Sequence, residues 1–234
     1  MAPDLTPGAT GDARALALAA SVVEAAGGQA AWDSVRYVSF TFFGNRRWHW
    51  DKHDRRYRVE SDRRGYRITG RTDGTDTRLW IHDRPETHPD SLARYGQHAY
   101  EAWINDTYWL VMPFKLLDPG VELTYTGPCM ADSQTAAVCL ELSFQEVGVT
   151  PDNKYRIYID TVQDRVVRWD YYRTRRDSLP ALSAPWTDYQ RVGNVWLSGG
   201  RGDRQLTDIA LPEALPEALF EDVTRPAAEI LASR

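Results

Sequence analysis

The feature that most constrains this fold is an alternation of apolar and polar residues that begins at Tyr37 and continues to Ile81. Five short segments place aromatic or aliphatic side chains at every second position, which is typical of strands with one buried and one wet face. Tight polar turns such as Gly44-Asn45 separate the segments, so consecutive strands are predicted to pair as an antiparallel meander. The predicted buried face comprises Val38, Phe40, Phe42, Trp48, Trp50, Tyr57, Val59, Tyr66, Ile68, Leu79 and Ile81.

After residue 120 the alternation resumes and includes two clear hairpins. The sum is about ten antiparallel strands, preceded by a helix that Asp12 can cap and followed by a short helix from Pro216. A sheet of that size with one aromatic face must curl or be covered. We therefore predict a mainly β (α+β) fold, built as a single curled antiparallel half-barrel. Residues 1–10 are predicted to be disordered and residues 11–234 to form one domain.

One segment, at about residues 90–120, interrupts the strands and contains the largely apolar sequence WINDTYWLVMPFKLLDPG. A helix is predicted in it, ended by prolines. Two interpretations are open: a plug that fills the core, as aromatic stripes more often do, or a lid over an apolar cavity. The lid hypothesis predicts a hydrophobic-ligand site shared by the sheet and the insertion. Its residues are Phe40, Phe42, Trp48, Trp50, Tyr57, Trp103, Trp109, Leu110, Met112 and Phe114.

Composition bears on the choice of partner. Aromatic residues make up 12% of the chain, with nine tryptophans, and tryptophan favours half-wet sites such as ligand pockets. The formal net charge of −5 argues against nucleic acid. No segment is long and apolar enough to span a membrane, and the stretch from Ala15 to Val23 is interpreted as a helix, since acidic residues precede it. We predict a hydrophobic small molecule or acyl chain as the partner; the sequence carries no signal for an oligomeric state.

The two cysteines bear on the compartment. Cys129 and Cys139 lie on two predicted strands that flank a loop. A disulfide between them would stabilise the fold by about 2–3 kcal/mol in the chain-entropy model and would place the protein in an oxidising compartment. Two unpaired thiols are the equal alternative.

Catalytic motifs bear on whether the protein is an enzyme. The sequence has no nucleophile elbow, P-loop or dinucleotide fingerprint. The best catalytic alternative is a metal site at His49, Asp51 and His53, which would share one face of a strand. That face lies opposite Trp48 and Trp50, so exposure to water explains the same residues. We therefore predict no metal, no cofactor and no enzymatic activity.

Arginine clusters offer a further surface. The segments RRYR and RTRR, the second spanning Arg173 to Arg176, are typical of a solvated sheet face. If they are functional, they would engage anionic head groups, which makes a membrane surface a further predicted partner.

Several spaced patterns carry a family resemblance: GGQAAWDSVRYVSFTFF, WDKHDRRYRVE, and the block that begins at Met112-Pro113-Phe114 and ends at Asp118-Pro119-Gly120. With them, the chain resembles the bacterial lipoprotein-carrier superfamily of LolA- and LolB-like proteins, and most closely an uncharacterised branch with a central MPF..LDPG block. The resemblance implies a half-barrel closed by helices and an apolar cavity. It also implies carriage of lipid or lipoprotein acyl chains in the periplasm or at the outer membrane. The lipobox cysteine of membrane-anchored members is not seen near the start.

The predicted function is binding or carriage of a hydrophobic ligand, a lipid or a lipoprotein acyl chain, outside the cytoplasm; a cytoplasmic location is the alternative. The second hypothesis is a non-catalytic structural or interaction domain with a filled core, and the third is a metal-dependent enzyme. One substitution separates lid from plug: Trp109→Ala is predicted to cost about 1–2 kcal/mol in a lid but about 3–5 kcal/mol in a plug.

Overall fold

The computed structural model describes residues 8–145 and 150–233, and their strands form two unclosed sheets. One sheet has six strands and the other nine. The mainly β class with a few helices is confirmed, but the prediction of one sheet of about ten strands is wrong. Twisted open sheets rarely grow beyond about ten strands without splitting, which accounts for the division.

Contacts between residues divide the chain into two compact units. The first comprises Met1–Trp32 and Leu110–Asp203, and the second comprises Asp33–Trp109 and Arg204–Arg234. The prediction that residues 11–234 form one domain stays a prediction.

The second unit contains the predicted meander, in which each strand from β2 to β7 pairs antiparallel with the next and β15 pairs with β2. The register places Phe40 opposite Trp48 and Trp50 opposite Tyr57, so the alternating aromatic residues share one face. The strands are β2 (Tyr37–Phe42), β3 (Arg46–Asp51), β4 (Arg56–Ser61), β5 (Tyr66–Arg71), β6 (Arg78–Ile81), β7 (Arg84–Glu86) and β15 (Arg204–Ala210).

The predicted helical insertion is present and begins at a proline, which suits the first turn of a helix. Helix α3 spans Pro89–Val111, and a 3-10 turn at Met112–Lys115 follows it. The tail folds as two short helices, α4 (Ala218–Glu221) and α5 (Ala227–Ala232). In the parts of the chain that the structure describes, no helix combines the length and the hydropathy needed to cross a bilayer.

The first unit opens with β1 (Thr10–Gly11), which pairs parallel with β8 although residues 1–10 were expected to be disordered. Residues 1–7 lie outside the described part. Helix α1 (Ala13–Ala25) follows, and the Asp12 carboxylate accepts a hydrogen bond from the Ala15 backbone N–H at 2.9 Å, as its predicted capping role requires. Helix α2 spans Gln29–Ser34.

The later strands of the first unit form two antiparallel groups. Strands β8 to β12 pair in sequence, and β13 pairs with β14. The order in the six-stranded sheet is β1-β8-β9-β10-β11-β12. The strands are β8 (Val121–Met130), β9 (Ala136–Phe144), β10 (Lys154–Asp160), β11 (Arg165–Tyr172), β12 (Leu182–Pro185), β13 (Thr187–Val192) and β14 (Val195–Arg201).

Candidate functional site

Five of the predicted ligand-binding residues lie on one face of the meander in the second unit. Trp50 and Tyr57 are partners across β3 and β4, and Gly70 lies opposite Tyr57 on β5. The ring of Trp48 meets that of Tyr57 edge-on, with 5.6 Å between the ring centroids. All five residues are buried: Phe40, Phe42, Trp48, Trp50 and Tyr57.

Helix α3 places two further aromatic side chains on this face. Trp103 meets Trp50 edge-on at 5.4 Å and stacks on Tyr57 at 6.3 Å, both measured between ring centroids. Tyr100 stacks on Trp103 at 6.3 Å. Tyr100 and Trp103 are only half-buried. We call Trp50, Tyr57, Tyr100 and Trp103 the aromatic layer; it leads from the buried sheet surface out to solvent.

A buried carboxylate holds α3 on the sheet. Asp106 accepts hydrogen bonds from Arg46 Nε at 2.6 Å, from Arg46 Nη2 at 2.8 Å and from Trp48 Nε1 at 2.8 Å. The i, i+3 spacing places Trp103, Asp106 and Trp109 on one side of the helix. This anchor was not predicted from the sequence, where the available signal was Asp106 as the single charged residue of positions 102–114.

The last turn of α3 in this unit is packed against aromatic rings. Trp109 meets Phe42 edge-on at 6.3 Å and Phe43 at 5.2 Å between ring centroids. The Trp109 side chain is buried. Trp109 is therefore packed like an ordinary core residue, whereas Trp103 is only half-buried.

Two polar atoms of the aromatic layer are buried and have no hydrogen-bond partner among the described residues. They are the Tyr57 hydroxyl and the indole Nε1 of Trp103. Burial raises the pKa of Tyr57, and the negative charge of Asp73 raises it further, so the hydroxyl stays protonated at neutral pH. The layer therefore contains two buried hydrogen-bond donors that have no partner among the described residues.

The other three predicted ligand-binding residues belong to the first unit, where Leu110, Met112 and Phe114 are buried. Phe114 stacks on Trp32, with 5.0 Å between the ring centroids and 13° between the ring planes. The boundary between the units thus falls within the predicted insertion, directly after Trp109.

The C-terminal helices cover the polar face of the meander. The Arg58 guanidinium donates hydrogen bonds to the backbone carbonyl oxygens of Leu219 at 3.0 Å and Asp222 at 2.7 Å. Glu60 pairs with Arg58 at 2.6 Å and accepts a hydrogen bond from the Ala227 backbone N–H at 2.8 Å. We call Arg58 and Glu60 the C-terminal clamp.

Because that face is covered, the expectation that water surrounds His49 and Asp51 is wrong: they are 4% and 0% exposed. His49 Nδ1 lies 2.8 Å from Ser39 Oγ, and burial together with nearby arginines lowers the pKa of His49 to about 4. The Asp51 carboxylate accepts hydrogen bonds from two arginine side chains, one of which is Arg36. His53 is exposed in the following turn. Within residues 8–145 and 150–233, no group of three or more His, Cys, Asp and Glu side chains is placed to hold a metal ion.

The two cysteines form a disulfide between β8 and β9 of the first unit. Cys129 and Cys139 have their Cα atoms 6.0 Å apart. Of the two alternatives left open by the sequence, the structure favours the bridge.

The second arginine cluster lies on the surface of the first unit. Arg173, Arg175 and Arg176 are exposed, and Arg175 pairs with Glu122 at 3.6 Å. Arg175 and Arg176 help to line an open depression with polar and charged walls. This surface matches the solvated face that the sequence favours, and it differs in chemistry from an apolar ligand cavity.

Comparisons with known proteins give distant likenesses. No family model and no curated protein matches this sequence. A DUF1329 family protein from Desulfovibrio piger is 13% identical with a TM-score of 0.47, covering 89% of this chain and 97% of that one. An outer membrane lipoprotein-sorting protein domain from Vibrio parahaemolyticus is 10% identical with a TM-score of 0.46, covering 90% and 98%. MucB is 12% identical with a TM-score of 0.29, covering 92% and 64%.

The likeness to LolA- and LolB-like proteins noted in the sequence stays a resemblance, because each of these structural matches has a TM-score below 0.5. Likenesses of this size carry no argument about what the chain binds.

Proposed function

We propose that this protein binds a hydrophobic molecule, a lipid or a protein-linked acyl chain, on the aromatic layer of the second unit and carries it unchanged. The proposal is supported by the extent of the aromatic layer, from the buried sheet surface to half-buried side chains. The layer begins at the buried Trp50 and Tyr57 and ends at the half-buried Tyr100 and Trp103.

Aromatic rings suit such a role because they offer large apolar area with few rotatable bonds. An acyl chain that enters between Trp103 and the sheet would replace contacts between the aromatic rings with contacts between the rings and its own methylene groups. Each buried CH₂ contributes about 0.8 kcal/mol. Leu110, Met112 and Phe114 remain predicted ligand contacts.

The anchor at Asp106 constrains how such a site opens. Moving α3 away from the sheet would separate Asp106 from Arg46, and breaking a buried ion pair typically costs about 3–5 kcal/mol. Rotation of the half-buried Tyr100 and Trp103 side chains leaves that pair intact. We therefore assign the lid to these two side chains, with the helix backbone held in place.

The test is uptake of N-phenyl-1-naphthylamine, a probe whose fluorescence rises in apolar surroundings. Wild-type protein is expected to bind it saturably, and Trp103→Ala to weaken binding at least about tenfold, equivalent to about 1.4 kcal/mol. Trp196→Ala is the matched control, because Trp196 is also half-buried but lies in the first unit under Arg165. Absence of saturable binding by the wild-type protein would reject the proposal.

A second candidate function, a structural or interaction domain with a filled core, is favoured by a specific observation. Most predicted cavity residues are buried against one another, and Trp109 is the clearest case because both Phe42 and Phe43 contact its ring. This candidate predicts that the probe binds weakly and without saturation.

We further propose a periplasmic or outer-membrane location, with a lipoprotein or a membrane surface as the partner. The disulfide between Cys129 and Cys139 supports an oxidising compartment. Mass spectrometry of protein that was alkylated without prior reduction is expected to find both cysteines unalkylated, because a bridged cysteine has no free thiol. Alkylation of both residues in material taken directly from cells would count against this location.

A further inference from the structure

We infer that the bound molecule carries a neutral acceptor oxygen, an ester or amide carbonyl, and that the Tyr57 hydroxyl and the Trp103 indole N–H donate hydrogen bonds to it. The inference rests on the proposed function and adds the chemical class of the ligand at that site.

The first support is the state of Tyr57. Its side chain is completely buried, and its hydroxyl has no hydrogen-bond partner among the described residues. Buried hydroxyl groups are paired in the great majority of proteins, because an unpaired one loses its bonds to water without replacement. An acceptor on a ligand would supply the missing partner.

The second support is the position of Trp103. Its Nε1 is also buried without a partner in the described part of the chain, although the residue as a whole is half-buried. The ring lies over that of Tyr57 with 12° between their planes. Two donors without a partner among the described residues therefore belong to neighbouring, stacked rings, and a carbonyl oxygen has two lone pairs with which to accept hydrogen bonds.

The third support is the residue beside the hydroxyl. Gly70 is the cross-strand partner of Tyr57, and a Cβ atom at this position would lie 3.1 Å from the Tyr57 hydroxyl oxygen. A larger residue would therefore crowd the hydroxyl, and with a glycine no side chain at position 70 competes with a ligand acceptor for it.

The burial of the hydroxyl selects a neutral acceptor over a carboxylate. Tyr57 is completely buried among aromatic rings. A ligand carboxylate beside it would lose its hydration, and burying a charge costs far more free energy than burying a neutral ester carbonyl.

The experiment is displacement of N-phenyl-1-naphthylamine by three ligands of matched length: methyl dodecanoate, dodecanoate at pH 8 and tridecane. The wild-type protein is expected to bind the ester about tenfold more tightly than either of the others. Tyr57→Phe and Trp103→Phe are each expected to reduce that preference to within about threefold while retaining probe binding. Tyr66→Phe is the control, because Tyr66 is buried on the same sheet but belongs to a different cross-strand row.

A second measurement guards against a purely structural role. If the Tyr57 hydroxyl served the fold, Tyr57→Phe would lower the Tm of the ligand-free protein; we expect an unchanged or higher Tm, because the variant removes an unpaired buried group. Equal affinity for ester, carboxylate and alkane, with saturable binding, would overturn this inference and leave the proposed function standing. Tighter binding of the carboxylate would overturn the selection of a neutral acceptor. Failure of the wild-type protein to bind the probe would remove both.

Discussion

The meander of the second unit has two buried faces that are held in opposite ways. On one face, α3 lies on aromatic rings such as Trp50 and Tyr57, and Asp106 is its main polar anchor. On the other face, Arg58 and Glu60 hold the C-terminal helices by directed hydrogen bonds to backbone groups. Apolar contacts are non-directional, so the first face tolerates side-chain rearrangement and a guest. A buried charge pair requires all of its partners at once, so the second face is suited to fixing one arrangement.

The largest expected effect comes from breaking the C-terminal clamp. Arg58→Met removes the donor to two or more carbonyl oxygens and leaves Glu60 buried without its cation, so we expect the free energy of unfolding to fall by about 5 kcal/mol. Urea denaturation measures this loss. Arg63→Met, on an exposed side chain of the same unit, should stay within about 0.5 kcal/mol of wild type. A loss under about 1 kcal/mol for Arg58→Met would show that the clamp does not hold the tail.

The next effect tests the aromatic face where it is most tightly packed. Because Trp109 is 9% exposed and Phe42 and Phe43 contact its ring, Trp109→Ala is expected to cost about 3–4 kcal/mol. Urea unfolding followed by circular dichroism gives the value. The smaller loss of about 1–2 kcal/mol, which the sequence analysis predicts for a lid, would extend the mobile region to this turn of α3.

The third effect is a pH dependence that only the polar face should show. The pKa of His49 is lowered from 6.5 to about 4, so between these values the unfolded chain binds a proton that the folded protein excludes. Stability is therefore fully present above pH 6.5 and is lost as the pH falls towards 4, by at most about 3 kcal/mol.

The measurement for His49 is the difference in unfolding free energy between wild type and His49→Gln at pH 7 and at pH 4.5. The variant should lose less stability on acidification, because it lacks the titrating group. His53→Gln, at an exposed turn position, should follow the wild-type profile. Parallel profiles for wild type and His49→Gln would mean that the imidazole is already solvated.

The smallest effect on stability is expected at Trp103, at the half-buried end of the aromatic layer. Trp103 is half-buried, so Trp103→Ala should cost only about 1–2 kcal/mol in urea unfolding, less than Trp109→Ala. The same variant is expected to lose most probe binding, so its effects on stability and on binding should separate. A loss for Trp103→Ala as large as that for Trp109→Ala would make the two ends of α3 equivalent and would favour a filled core.

Much of the fold is readable in the sequence because the relevant signals are local. The alternation from Tyr37 to Ile81 places the aromatic residues on one face, since successive side chains on a strand point to opposite sides. The helix cap at Asp12 and the proline-bounded insertion are equally local. The predicted ligand site stays a prediction, although several of the rings named for it contact one another.

The polar contacts within the site could not be predicted from the sequence. Asp106 meets Arg46 across 60 residues of chain, and nothing in its own neighbourhood identifies the partner. The unused donors on Tyr57 and Trp103 depend in the same way on which rings stack once the helix has docked. These features arise from the register between elements, which the sequence pattern leaves unspecified.

The sequence by itself determined which side chains of the meander share a face, because the period of two is a property of the extended backbone. Only the tertiary structure decided what covers each face. The polar residues around His49 look solvent-facing in the sequence, yet the chain returns 161 residues after Arg58 and lays the Leu219 carbonyl against its guanidinium. A polar pattern records the need for hydrogen-bond partners, and water and a distant backbone carbonyl both meet that need.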